Sequence, residues 1–154
     1  MKDANVISTI LSEQGLQFTL LPKRELIRVS SLWFQMVKKY ILDNNKGNIN
    51  SPFDFRFLEQ NGKKVLKGFR AQEAYLKLKK NKVYIYSNSP MHSFIVSSDA
   101  MLVTEKLLDK ILLLKEYYNY DIYIIDYDLC WSYIKVHDES LGNGPYFCKW
   151  AMSD

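Results

Sequence analysis

The sequence predicts an α/β fold, with α+β as the alternative: a small mixed β-sheet with a C-terminal antiparallel hairpin, packed by three or four helices. Three observations carry this prediction. A long amphipathic helical pattern follows Pro22, residues 121–127 are apolar on both faces, and residues 131–136 follow after a short acidic turn. A chain of 154 residues fits a single domain, 1–154, with a helical part over 1–50 and a mixed sheet with helices over 51–154.

The N-terminal part is predicted to be mainly helical. Residues 6–13 have the periodicity of a short amphipathic helix, and residues 16–21 alternate as a strand does. From Pro22 onwards, apolar residues recur over about half of a 3.6-residue wheel as far as Ile41. Trp33 lies on that apolar face, so we expect it in the core.

The middle of the chain has a lysine-rich segment. Residues 63–80 have the pattern of a helix that is either continuous or broken at Gly68, and residues 53–58 fit either a strand or a docked turn. In a continuous helix the basic residues form one stripe opposite the apolar Val65, Phe69 and Leu76. The residues of this stripe are Lys63, Lys67, Arg70 and Lys77.

The C-terminal half is predicted to supply most of the sheet. Residues 83–86 and 93–96 have strand patterns, and the second strand is expected to pair near the first. Thr104 is suited to cap a helix from Glu105 to about residue 117. Residues 121–127 then form a central strand covered on both sides, which a turn joins to residues 131–136. Residues 146–150 are expected to form the last strand.

Composition excludes several classes of protein. An apolar content of 47% argues against disorder, and no apolar run approaches the ~18–20 residues that span a bilayer. No signal-peptide core follows Met1, so we expect a cytoplasmic protein that does not bind membranes. Cys130 and Cys148 lack metal-ligand spacing and are expected to be reduced, buried thiols.

Charge is distributed unevenly along the chain. Residues 1–82 contain 16 basic and 7 acidic residues, for a net charge of +9, whereas residues 83–154 contain 5 and 10, for −5. Such asymmetry is typical of a protein with a charged interaction surface. The lysine excess also fits residue choice in an AT-rich genome, so both interpretations stay open.

The polar cluster His137, Asp138 and Glu139 is the one group in the C-terminal segment with the chemistry of a site. A histidine beside carboxylates favours its cationic form, but an acidic turn before a glycine-rich loop is the better account of these residues. Nucleophilic catalysis would need Cys130 or Cys148 beside His137 and a group that lowers the thiol pKa. We therefore predict no catalytic residues, no metal and no cofactor.

Several segments of the C-terminal half resemble the domain of unknown function 4275 family of small bacterial proteins. The resemblance covers residues 66–148, and its most specific pieces are Trp131 with Tyr133, His137, and the run Gly144-Pro-Tyr-Phe147. One departure is that Asp138 separates His137 from Glu139. The resemblance implies no activity, and only by analogy of size does it suggest immunity proteins of contact-dependent toxins.

These observations together favour a non-enzymatic cytoplasmic binding protein, of the immunity type by that analogy, which docks a protein partner. A small enzyme or ligand-binding domain using His137 with Glu139 or Cys148 is the first alternative. Nucleic-acid binding through a basic helix over 63–82 is the second. The expected binding residues lie at the hairpin end and on the basic stripe: Trp131, Tyr133, His137, Glu139, Tyr146, Lys63, Lys67, Arg70 and Lys77.

Overall fold

The computed structural model describes residues 2–40, 65–87, 93–114, 121–135 and 144–149. In chain order the helices and strands are α1 (Lys2–Glu13), β1 (Gln17–Leu20), α2 (Lys23–Tyr40), β2 (Val65–Lys67), α3 (Phe69–Lys77), β3 (Val83–Ser87), β4 (Phe94–Ser98), α4 (Glu105–Leu112), β5 (Ile122–Asp126), β6 (Trp131–Lys135) and β7 (Tyr146–Lys149), with a short 3-10 turn at Ala100–Leu102 before α4. These elements confirm the predicted α/β class and its C-terminal hairpin.

The strands form a seven-stranded sheet in the order β1-β4-β3-β5-β6-β7-β2. Each described pair of neighbours is antiparallel, so the predicted mixed sheet is corrected to an antiparallel one, as in the α+β alternative. The connections explain this arrangement, because β3 to β4 and β5 to β6 are joined by segments too short for the crossover that parallel strands need. The N-terminal strand β1 pairs with β4, so the mainly helical N-terminal part of the chain contributes one strand to the same sheet.

Strand β5 lies at the centre of the sheet, between β3 and β6. Ile122 and Ile124 pack into the core on one face, and Tyr123 and Ile125 pack into the core on the other. All four side chains are buried, which is the arrangement expected for a strand that is apolar on both faces. The prediction of a central strand covered on both sides is confirmed.

Helices cover both faces of this sheet. Helices α1, α3 and α4 contribute to the core on the face of Ile122, whereas α2 contributes to the core on the face of Tyr123. Trp33 of α2 is fully buried, and its ring meets Tyr123 edge-on at 5.5 Å between centroids. The predicted core position of Trp33 is confirmed, and the described fold has three layers.

Two local predictions from turn and cap chemistry are also confirmed. The Thr104 hydroxyl accepts a hydrogen bond from the Leu107 backbone N–H at 3.2 Å, as an N-cap does. In the β5–β6 turn, the Asp126 carboxylate accepts a hydrogen bond from the Cys130 N–H at 3.1 Å, while Leu129 has a φ of 61°. The acidic turn therefore closes the hairpin.

The continuous helix over 63–80 is wrong, because the chain changes from strand to helix at Gly68. Gly68 has a φ of 64°, a conformation that glycine adopts without a Cβ penalty, and its N–H donates to the Pro145 carbonyl at 2.9 Å. Residues Val65–Lys67 form β2 instead, paired with β7. Pairing with a strand distant in sequence outweighs the helical propensity of this lysine-rich segment.

No helix in the described ranges combines the length and apolar character needed to cross a membrane.

Candidate functional site

Helix α3 presents two large apolar side chains to solvent. Phe69 and Leu76 are each 75% exposed, and their spacing of seven residues places them on one side of the helix. The opposite side of α3 is anchored in the core by Ala71 and Tyr75, both buried. Since exposed large apolar residues that neighbour one another mark interaction surfaces, this side of α3 is a candidate binding face.

Charged side chains lie along one side of these two apolar residues. Arg70 and Lys77 follow Phe69 and Leu76 directly in sequence, and both are exposed. Glu73 lies between them, with its carboxylate 3.9 Å from the Lys77 ammonium; both side chains are at least half exposed, so this pair contributes little stability. We define the α3 face as Phe69, Arg70, Glu73, Leu76 and Lys77. It is an apolar pair bordered by cations.

The burial of α3 corrects the sequence-based assignment of its sides. Phe69 and Leu76, placed opposite the basic stripe as an apolar side, are exposed to solvent, whereas Tyr75 is buried. A signal was present in the spacing of Ala71, Ala74, Tyr75 and Leu78, which all pack on the core with helical periodicity. Starting the helix at Gly68 rather than before it would have revealed that pattern.

The basic stripe is divided between two elements. Arg70 and Lys77 lie on α3, but Lys67 lies on β2, where its Cα partner is Tyr146 of β7. Lys63 lies outside the described residues. The four residues therefore do not form one helical stripe, and the basic helix over 63–82 is corrected to a strand followed by the nine-residue helix α3.

The hairpin-end residues proposed to contact a partner belong to the core. Trp131, Tyr133 and Tyr146 are all buried, so their side chains are not presented to a partner, and the expectation that they form a docking surface is corrected. They face inwards because β6 lies between β5 and β7 and is covered on both faces. His137 and Glu139 lie outside the described residues, and their role stays a prediction.

An aromatic stack links α3 to this core. The Tyr75 ring lies parallel to Tyr133, with 4.2 Å between centroids, and meets Trp131 edge-on at 6.0 Å. Trp131 in turn stacks on Phe147 at 6.2 Å. The Tyr75 hydroxyl donates to the Val103 carbonyl at 2.5 Å, and burial raises the pKa of Tyr75 well above its usual value. This stack fixes the position of α3 on the sheet.

A buried lysine connects the same region to α4, and sequence analysis did not single it out. The Lys135 ammonium, with its side chain 3% exposed, lies 2.7 Å from Glu105 and 3.1 Å from Asp109. The Tyr133 hydroxyl donates a hydrogen bond to Glu105 as well. The sequence does contain a signal for this ion pair, because Lys135 lies within a mainly apolar strand. A buried cation needs paired carboxylates, and the acidic helix that Thr104 caps can supply them.

Both thiols are free, but the expectation that both are buried holds for Cys148 alone, because Cys130 is partly exposed in the β5–β6 turn. Cys148 is buried in the core, and this burial raises its pKa to about 12. Burial, followed by the neighbouring carboxylate of Asp126, also raises the pKa of Cys130. A nucleophilic cysteine needs a lowered pKa, so Cys148 has the wrong environment for the enzyme alternative that uses it.

A cavity lies where α3 and α4 meet, beside the α3 face. It encloses about 210 Å³ and is lined by Tyr75, Leu76, Lys80, Met101, Val103, Thr104, Glu105 and Lys106. Leu76 belongs both to this lining and to the α3 face. Among the described residues, no group of histidine, cysteine, aspartate and glutamate side chains is arranged to hold a metal ion.

The fold and this surface define a three-layer α/β domain with an exposed helix face next to a small cavity. The chain belongs to the family described as domain of unknown function (DUF4275), whose profile matches residues 28–147. The matched range contains α3, the hairpin and the cavity. No curated protein and no solved structure matches the chain.

Proposed function

We propose that this protein is a non-enzymatic binding domain that docks an acidic protein partner through the α3 face. The observation that carries the proposal is the pair Phe69 and Leu76, each 75% exposed on one side of a helix that the core holds in place. Rigid apolar anchors surrounded by charge are the usual centre of a protein interface.

The charges of the α3 face favour an acidic partner. Arg70 and Lys77 border the apolar pair, and Glu73 is already close to Lys77. Complementary charge raises the rate of association, while the apolar anchors supply most of the affinity. An aliphatic Leu76 at the centre favours protein over nucleic acid, because a phosphate backbone gains nothing from burying it.

Capture with matched variants tests this proposal. The full-length chain, immobilised, is exposed to lysate of its own host beside Phe69→Ser, Leu76→Ser and Leu113→Ser. Leu113 is 86% exposed at the C-terminal end of α4 and is the control for loss of an exposed apolar residue. We expect a protein retained by the wild type and Leu113→Ser but lost by the other two, by about 30-fold or more in Kd.

Charge reversal gives an independent test with its own control. Arg70→Glu and Lys77→Glu should slow association with the captured protein about tenfold at low salt, with a smaller effect at high salt. Arg24→Glu is the control, because Arg24 is exposed on α2, which packs on the other face of the sheet. Equal loss from Arg24→Glu would show that overall charge, and not the α3 face, controls binding.

We further propose that the partner is a toxin domain and that the protein acts in the cytoplasm as an immunity-type protein. The support is the analogy of size together with a compact domain that has an exposed docking face. Co-expression with the products of neighbouring genes tests this form. The chain should restore growth to cells that express the toxin domain, and Leu76→Ser should not.

A further inference from the structure

The α3–α4 cavity has the volume of an anchor pocket rather than that of a cofactor site. Ligand pockets for small molecules enclose roughly 300–1,000 Å³. The cavity between α3 and α4 encloses about 210 Å³, which is below that range. A space of this size accommodates a single large side chain. The α3 face continues into it through Leu76, so a protein docked on α3 also reaches the cavity.

The walls of the cavity are mainly apolar. Leu76, Met101, Val103 and the ring of Tyr75 supply them, and Met101 is half exposed at the rim. Tyr75 is held by its hydrogen bond to Val103 and by its stacking on Tyr133, so this wall is rigid. A preformed apolar pocket binds an apolar side chain without the entropic cost of ordering its own walls.

One wall carries a buried cation with spare hydrogen-bonding capacity. Lys80 is 6% exposed, and its ammonium lies 4.2 Å from the centre of the Tyr75 ring. An ammonium has three donors; within the described part of the chain, Lys80 donates one to the Leu78 carbonyl at 3.2 Å. Burial lowers the pKa of Lys80, so a carboxylate brought to it would offset the lost solvation.

The other charged groups at the cavity give a net preference for an anion. Lys106 lines the cavity and is exposed, adding a second cation at the rim. Glu105 also lines it, but its carboxylate already accepts from Tyr133 and pairs with Lys135. A partner that reaches the cavity therefore contacts an apolar pocket with two lysines beside it, Lys80 and Lys106.

We propose that the α3–α4 cavity receives one leucine- or phenylalanine-sized anchor from an acidic segment of the partner protein, with an adjacent carboxylate bound by Lys80 and Lys106. This inference rests on the proposed function and specifies the partner's chemistry: an apolar residue next to aspartate or glutamate. The α3 face supplies the surrounding contact area, and the cavity supplies the selectivity.

Short synthetic peptides test the inference without the natural partner. The probes are a peptide with a central leucine flanked by glutamates, the same peptide with central serine, and the same peptide with flanking lysines. The full chain is labelled at its methionine methyl groups, and Met101 reports on the cavity by NMR. We expect the glutamate-flanked leucine peptide to shift the Met101 signal and to bind at least about tenfold more tightly than the other two.

Three outcomes would overturn the inference. Met101 unchanged by every peptide, or shifted equally by the leucine and serine peptides, would remove the anchor. Isovalerate, a free small carboxylate, binding as tightly as the best peptide would assign the cavity to a small metabolite.

One further outcome would support the inference. Loss of the flanking-charge preference in Lys106→Glu, but not in Lys110→Glu one turn further along α4, would support the role of the rim cation.

Variants separate this inference from the proposed function. Met101→Lys places a competing cation at the cavity rim, whereas Phe69→Ser changes the α3 face outside the cavity lining. Capture of the natural partner should fail for both. If only Phe69→Ser prevents capture, the docking proposal stands and the anchor pocket is wrong; if neither prevents it, both are wrong.

Discussion

Two regions of this molecule use large apolar side chains for opposite purposes. At the hairpin, Trp131, Tyr133 and Phe147 are buried against one another and hold the sheet to its helices. On the α3 face, Phe69 and Leu76 are three-quarters exposed, although Tyr75 of the same helix is part of the hairpin stack. Three of the residues that carry the family resemblance, Trp131, Tyr133 and Phe147, therefore belong to the scaffold, whereas the candidate binding residues lie on its surface.

The division has a physical reason. Buried aromatic rings must fit one another closely, so a core region tolerates few residue types and produces a recognisable pattern. The residues of an exposed face are free of that packing constraint, and their types depend on what the face binds. Substitutions in the first region should therefore unfold the protein, and those in the second should change binding alone.

The largest expected effect is on stability, from Trp131→Ala. Removing a buried tryptophan that packs edge-on against Tyr75 and stacks on Phe147 should lower the free energy of unfolding by about 3–5 kcal/mol. Urea denaturation followed by circular dichroism measures this loss. Trp33→Ala, in the core on the other face of the sheet, should cost a similar amount. A change below about 1 kcal/mol for Trp131→Ala would contradict its assignment to the core.

Thiol labelling with iodoacetamide gives the next largest effect. With a pKa of about 12, Cys148 carries about 1,000-fold less thiolate at pH 8 than a thiol of pKa 9 would, so it should stay unlabelled in the folded protein. Cys130 is partly exposed and should label slowly, faster as the pH rises. Mass spectrometry of digested protein distinguishes the two sites.

The raised pKa of Cys148 also fixes the sign of a stability change. Because the folded-state pKa of about 12 lies above the value of 9.0 for an unperturbed thiol, the contribution of Cys148 is complete below pH 9 and is lost as the pH rises towards 12. Cys148→Ala should remove this part of the alkaline destabilisation. Rapid labelling of Cys148 at pH 8 in folded protein would overturn the placement of this residue.

Lys135→Met should have a moderate effect on stability. The ammonium is buried, but Glu105 and Asp109 are partly exposed at 27% and 61% of their side chains, so solvent can compensate for part of the loss. We expect the free energy of unfolding to fall by about 1–3 kcal/mol. Lys149→Met, at an exposed position on the adjacent strand, is the control and should change little. Thermal unfolding of both variants at one pH provides the measurement.

The smallest effect on stability is expected on the α3 face. Phe69→Ser and Leu76→Ser should change the free energy of unfolding by no more than about 0.5 kcal/mol, because neither side chain is buried. The same variants should lose partner binding, as proposed above. A stability loss as large as that of Trp131→Ala would show that the α3 face packs within the protein. The distinction between a buried scaffold region and an exposed binding region would then be wrong.

Most of the architecture could be predicted from local patterns. The helix containing Trp33, the capped helix after Thr104 and the doubly apolar β5 each have a signal within a few residues. Strand β2 could not be predicted in this way, because three residues form it only by pairing with β7, distant in the chain. That non-local pairing also sets the start of α3 and hence which of its sides is exposed.

The candidate site was predicted in part. Arg70 and Lys77 were identified from charge and are exposed, but Phe69 and Leu76 were assigned to the apolar side of a longer helix. The sequence singles out three aromatic residues of the hairpin end, Trp131, Tyr133 and Tyr146, but it does not distinguish a role in the core from a role on the surface. Alternation reveals that both faces are covered where both are apolar, as in β5, but in β6 the polar Ser132 and Lys135 obscure that both faces are buried.

The position of β2 at the end of the strand order has a consequence for how the molecule assembles. The β5–β6 hairpin joins strands that are close in sequence and is expected to form early, whereas β2 pairs with β7, which is distant in sequence, and is expected to join the sheet later. Helix α3 follows β2 directly and is tied to the Pro145 carbonyl through Gly68. Helix α3 is therefore expected to reach its place late in folding, and a partner that docks on the α3 face would bind folded molecules in preference to incompletely folded ones.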